Sequence, residues 1–191
     1  TAIASDSVDV ANITDSYNNV SDVLSDNKID ASDAAVTING DADFTVGNYN
    51  TISGSVGSIS FNTIKGSYDD LNNLAGTGVD LSSKTIEVTS ALDKTKLEQL
   101  TDVRGLTLAS LTYTLNDTGA TLATMSEAQL KGASSIAVND STSVLNLETI
   151  RDNSDLVLND TITYTSGVTD VASVLGGSDT ENILDGKELT L

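Results

Sequence analysis

Two hydrophobic patterns alternate along this chain. Short runs place apolar residues at every second position and then stop at a polar pair. Stretches with apolar residues three and four apart follow them. The first is the pattern of a half-buried strand, the second of one helix face. The strand ends are plainest in "YTLND" at 113–117, "IAVND" at 136–140 and "LVLND" at 156–160, each closing on Asn-Asp. The same apolar–x–apolar run with a polar stop recurs at Ile13, Ile38, Phe61, Val88, Leu115, Val138, Leu158 and Leu184, at intervals of 20 to 27 residues. Such spacing lies in the roughly 20–45-residue range of solenoid repeats, whose units bury their apolar faces only by stacking.

The intervals carry helical stripes: Val20, Val23 and Leu24; Leu71, Leu74 and Ala75; Leu97, Leu100 and Val103; Leu122, Met125, Ala128 and Leu130; Val144, Leu147 and Ile150; Val168, Val171, Val174 and Leu175. Gly76, Gly105, Gly132 and Gly176 follow the last apolar position, with Asn27 and Asn153 in that role elsewhere. These are residues that close a helix in the left-handed conformation. Asn-Asp ends a strand because both residues favour turns, and Asp or the next Ser or Thr then caps the following helix. Val79–Leu81 and Leu106–Leu108 predict a second short extended side in their turns. One interval differs. "NGDADFTVGNYNTISGSVGS" at 39–58 lacks a helical stripe and is broken by Gly47 and Gly54, which predicts a mostly extended turn.

The predicted fold is therefore α/β: one solenoid domain over residues 1–191, with about eight strand–helix turns and a short-stranded parallel sheet. The eight strand-end residues should line one buried column. Asp in place of Leu115 or Val138 should unfold the array, whereas Asp in place of Thr142 should be harmless.

Composition changes the picture through charge. The chain holds 28 acidic and 9 basic residues, a formal net charge of −19. That charge repels phosphate backbones and anionic membranes, so neither nucleic-acid binding nor membrane insertion is expected. No run approaches the ~20 apolar residues of a membrane span. The N-terminal "TAIASDSVDV" lacks the basic and apolar regions of a signal peptide, and a chain beginning at Thr1 is expected to be excised from something longer.

Cys, His, Trp and Pro are absent. Their absence removes disulfides, thiolate and imidazole ligands, and the Ser-His-Asp and cysteine nucleophile constellations. The glycine-rich "GTGVDLSSK" at 76–84 has the wrong spacing for a phosphate loop. Acid pairs such as Asp69–Asp70 and Asp41–Asp43 have the residue types for sugar hydrolysis, but among 28 acidic residues such pairs arise by chance. No enzymatic activity is expected. Calcium is the one cofactor the sequence suggests. Asp117, Asp140 and Asp160 would occupy equivalent places in successive turns, about 5 Å apart, and like charges that close share a cation or repel. "GGSDTENILDG" at 176–186 is similar to the calcium-binding nonapeptide G-G-x-G-x-D-x-U-x, with Asp179 where the third Gly stands and Glu181 where the Asp stands. The candidate metal ligands are thus Asp117, Asp140, Asp160, Asp179 and Glu181.

Strand–Asn-Asp–amphipathic helix–Gly units, rich in Thr, Ser, Asp and Asn, resemble the degenerate α/β repeats of very large bacterial surface and type I-secreted proteins, RTX adhesins and haemolysin-type proteins among them. The resemblance covers nearly the whole chain, most clearly 84–186. It implies a secreted or cell-surface location, a structural or adhesive role, and calcium as a stabilising ion. The partners it implies are other segments of the same large protein, neighbouring surface proteins and polysaccharide. The competing expectation is a carbohydrate-binding or carbohydrate-cleaving solenoid of a phage-type fibre, which stacked aromatics along a groove and a close carboxylate pair would favour.

Overall fold

Strands and helices alternate along the chain, and every strand pairing assigned is parallel. The structure, a computed structural model, describes residues 7–40, 43–140, 142–154 and 162–164. The chain divides into two compact units, residues 1–87 and 88–191.

The first unit opens with β1 (Val8–Asp9), β2 (Asn12–Asp15) and α1 (Tyr17–Ser25), continues with β3 (Ile29–Asp30), β4 (Ala35–Ile38), α2 (Val46–Ser53), β5 (Ser58–Ser60), β6 (Thr63–Gly66) and α3 (Tyr68–Gly76), and closes with β7 (Thr85–Val88). β1 pairs with β3, and β2, β4 and β5 lie side by side in that order. Ile13 stands opposite Val36, and Val36 opposite Ile59. Alternation along β4 buries Val36 and Ile38, and Val20 of α1 and Phe44 are buried in the same unit. Phe44 packs on Phe61 with ring centroids 5.5 Å apart, flanked by Tyr17 at 6.0 Å and Tyr49 at 5.9 Å. Such offset ring pairs add to simple area burial.

In the second unit α4 (Lys94–Glu98) runs into a π-helical turn at Gln99–Val103, then a 3₁₀ turn at Leu108–Ser110 leads to β8 (Leu111–Asp117). Next come α5 (Gly119–Leu122), α6 (Glu127–Lys131), β9 (Ala133–Val138), α7 (Val144–Ser154) and β10 (Ile162–Tyr164). β9 lies between β8 and β10. The described core of this unit is aliphatic: Leu92, Leu97, Leu100, Leu115, Leu122, Leu130, Ile136, Val138, Leu147 and Ile150 are all buried, with Tyr113 the one aromatic among its described buried residues.

Several expectations need correction. The stretch at 39–58 contains α2. Thr45 caps it: its hydroxyl accepts from the Asn48 amide, and the Asn48 side chain accepts from the Thr45 amide. That reciprocal pair, with Val46 and Ile52 buried, outweighs Gly47 and Gly54, which sit at the second helical position and the C-terminal cap. Of the eight strand-end residues, Ile38, Phe61, Val88, Leu115 and Val138 are buried, while Ile13 is half-buried because its strand has one neighbour among the described residues. Leu158 and Leu184 lie outside the described residues, as do Val168, Val171, Val174, Leu175 and Gly176. The register also differs: Leu115 faces Ile136 and Asp117 faces Val138, after an irregularity at Tyr113–Thr114. Val23, Val103 and Ala128, assigned to apolar helix faces, are exposed. Gly105 does adopt a left-handed conformation, with φ of 74°, but Gly132 caps α6 with φ of −74° and Asn153 lies inside α7. Leu108 begins a 3₁₀ turn where an extended segment was expected.

Thr142 is the plainest reversal. It is buried, 6% exposed, and its side chain fills the space where a Cβ on Gly119 would stand. Its hydroxyl accepts from the Asn146 side-chain amide at 2.9 Å. A carboxylate has neither room nor a partner set there.

Candidate functional site

The acidic strand ends are the chemistry the sequence singles out, and the second unit shows what two of them do. Leu92 pairs with Leu115 of β8: its amide donates to Thr114 at 2.9 Å and its carbonyl accepts from Asn116 at 2.8 Å. α4 starts directly afterwards, capped by Asp93, whose carboxylate accepts from the Lys96 amide. The first helical amide, on Lys94, is left for another acceptor, and Asp117 at the end of β8 supplies it. Its Oδ2 accepts from Lys94 N at 3.0 Å and its Oδ1 from the Thr118 amide at 2.7 Å.

One repeat later the arrangement recurs. Asp117 pairs with Val138 in the ladder, α5 begins at Gly119 behind its cap Thr118, and Asp140 Oδ1 accepts from the Gly119 amide at 2.8 Å. Both described Asn-Asp stops thus place their carboxylate on the first amide of the preceding strand–helix unit's helix. These amides have no partner within the helix, and the helix dipole favours a negative charge beside them.

The register separates the two carboxylates. Asp117 lies level with Val138, and Asp140 lies two residues further along. At ~3.3 Å per residue and ~4.8 Å between strands, two such positions are roughly 8 Å apart, not the strand spacing expected of a shared column. The cause is that Asn116 and Asp117 are the last two residues of β8, whereas Asn139 and Asp140 follow the end of β9, which is level with Asp117. Asp160, Asp179 and Glu181 lie outside the described residues. Among the described residues no group of three or more acidic side chains is positioned to hold a metal ion.

The first unit joins its turns differently. Lys65 Nζ on β6 lies 3.1 Å from Asp43 and 3.0 Å from Glu87 on β7. The three residues are spaced by 22, one per turn. Glu87 and then Asp43, hydrogen-bonded to the ammonium, hold its pKa above the ordinary lysine value. Charges of alternating sign at the repeat period are the signal that identifies this trio in the sequence.

A second missed signal is the pair "IDAS" at 29–32 and "VDLS" at 79–82. Asp30 accepts from the Ser32 amide at 3.1 Å and hydroxyl at 2.8 Å, and Asp80 accepts from the Ser82 amide at 2.9 Å and hydroxyl at 2.7 Å. These bonds lower both carboxyl pKa values, led by the Ser32 amide for Asp30 and by the Ser82 hydroxyl for Asp80. Asp15 is lowered chiefly by the Asn19 side-chain amide, then by the Ser16 amide. Of the acid pairs weighed for sugar chemistry, Asp70 is drawn into the cap of α3 by Ser67 and Asp43 into the Lys65 pair; Asp41 lies outside the described residues.

Of the tyrosines, Tyr113 is 1% exposed and donates to the Gln129 carbonyl at 2.6 Å; burial pushes its pKa up to about 12. Tyr49 borders a shallow depression with Ser58, Ser60, Phe61, Asp80 and Lys84, the lysine ammonium lying 5.3 Å from the Phe61 ring centre. No helix among the described residues is long and apolar enough to cross a membrane. No protein-family model, no curated protein and no solved structure matches this chain.

Proposed function

We propose that this chain is a non-enzymatic structural or adhesive repeat segment of an extracellular bacterial surface protein, its strand–helix units stacked as a solenoid. The observation that carries the reading is the carboxylate link from one turn to the helix of the turn before, made by Asp117 to Lys94 and by Asp140 to Gly119. An array of turns is held by nearest-neighbour contacts, and here two of the recurring Asn-Asp stops serve those contacts. The strongly acidic surface keeps such a segment soluble and exposed.

Antibodies against the chain should label the exterior of intact cells that make it, and protease added outside should remove the label. A signal confined to the cell interior would overturn the location. The purified chain should release no sugar from polysaccharides; turnover lost on removing one carboxylate would overturn the non-enzymatic reading.

Calcium belongs to the proposal as a stabiliser. Compaction gathers a net charge of −19, and divalent cations relieve that repulsion. Melting followed during Ca²⁺ and Mg²⁺ titration at fixed ionic strength, with Asp140→Asn alongside, separates a specific site from screening. No response to either ion removes calcium from the proposal. The second reading, carbohydrate binding, draws on the depression beside Tyr49, where an aromatic edge meets Ser, Asp and Lys side chains. Saccharide binding abolished by Tyr49→Ala would favour it.

A further inference from the structure

We infer that the end of the first unit formed by β1, β2 and α1 is a docking face for one more strand–helix turn of the same kind, supplied by the same polypeptide. The inference rests on the repeat reading proposed above and names the partner of the array's first turn.

Two parallel ladders of this unit, β1–β3 and β2–β4–β5, have a strand of the same strand–helix unit at one edge. β1 is the outer strand beside β3, and β2 the outer strand beside β4. Val8 and Val10 donate their amides to Lys28 and Asp30, and Ala11 and Asp15 accept from Ala35 and Asn39. In a parallel ladder, successive residues of a strand direct their N–H and C=O groups to opposite sides. Asp9, Asn12 and Thr14 therefore turn both groups away from the sheet, and no bond engages them among the described residues. Apolar side chains of this strand–helix unit are also incompletely covered. Val8 is 58% exposed and Val23 on α1 is 36% exposed, while Ile13 and Leu24 are half-buried. One step into the ladder, Val36, the partner of Ile13, is 1% exposed. The difference between Ile13 and Val36 is one missing neighbour.

The occupant follows from the ladder itself. A strand that satisfies Asp9, Asn12 and Thr14 in the register already running through β1–β3 and β2–β4 must be parallel, must bring branched aliphatics to the level of Ile13, and must carry a helix over Val23. That describes another turn of this chain's own pattern. A separate copy is disfavoured because two chains of net charge −19 repel, whereas a tethered turn arrives at high effective concentration. The existing ladder tolerates Asp9 directly beside Asp30, so an acidic turn in the same chain fits.

The test is to duplicate residues 8–28 in place, so that Lys28 runs into a second Val8 as it now runs into Ile29. Hydrogen exchange at the original Asp9, Asn12 and Thr14 amides should slow by about fivefold to tenfold, the worth of one ordinary hydrogen bond, and the melting temperature should rise. Val8→Lys with Ile13→Lys in the original turn should abolish both gains. Unchanged exchange and melting in a folded duplicate would overturn the inference. The unduplicated chain gives an independent check, since its outward amides should exchange quickly. If they are protected in a monomer, the face is already covered and the inference fails. If they become protected with concentration as sedimentation shows a dimer, the occupant is a second copy, which also overturns it. Cell-surface labelling decides the functional reading separately, so the two are able to fail apart.

Discussion

Both units hold strands of successive strand–helix segments side by side, and they link those segments with different chemistry. In the first, Lys65 stands between Asp43, whose side chain is 89% exposed, and the partly exposed Glu87, and four aromatic rings pack beside short strands. In the second, longer strands cover a core of leucine, isoleucine and valine, and half-buried carboxylates cap the helix of the neighbouring turn. Exposed ion pairs contribute little and are screened by salt, because water already solvates both charges. A carboxylate on an orphan helix amide satisfies a donor that has no alternative within the helix, so its loss is felt more. Two ways of joining turns thus differ in strength even though both recur at the repeat period.

The largest expected effect falls in the second unit. Leu115→Asp or Val138→Asp places a lone charge in a closed aliphatic core and should cost more than about 4 kcal/mol, enough to erase exchange protection across β8 and β9. Thr142→Asp should approach that loss, reversing what the sequence suggested, since the hydroxyl is buried against Gly119. A melt as high as that of the unmodified chain would show that α7 does not depend on this contact. In the first unit, Phe61→Ala should cost about 3–5 kcal/mol by opening a cavity among the rings. A loss under about 1 kcal/mol in a chemical denaturation series would mean that the aromatic cluster is ornamental to that core.

Alkaline titration affects the second unit through Tyr113. The hydroxyl keeps its proton more firmly in the folded state, its pKa standing near 12 against 10.0 ordinarily. Stability is therefore complete below pH 10 and declines as pH rises towards 12, by about 2–3 kcal/mol at ~1.4 kcal/mol per unit. Tyr113→Phe should flatten that decline; an unchanged alkaline profile would locate its cause elsewhere. The smallest effects test the comparison itself. Asp140→Ala should cost about 1–2 kcal/mol and depend weakly on salt. Lys65→Ala should cost about 1 kcal/mol or less, with most of the difference gone in high salt. If the lysine substitution proves the costlier, the contrast between the two kinds of link collapses.

The sequence by itself determined the alternation of strands and helices, the interval between them and most of the core. Leu71, Leu97, Leu122, Ile136 and Leu147 were legible because a side chain's face follows from a period of 2.0 or 3.6, which is local. Asn-Asp was legible as a stop for the same reason, since turn preference belongs to the residue. What each Asp touches was decided only in the tertiary structure. The partner of Asp140 is an amide 21 residues away, and which amide it meets depends on the register of β9 against β8. α2 escaped because Val46 and Ile52 make a thin stripe, and the reciprocal cap of Thr45 and Asn48 makes up for what the stripe lacks. Thr142 escaped because its burial is set by a glycine on another helix, and a residue's own polarity carries no record of the space left by its neighbour.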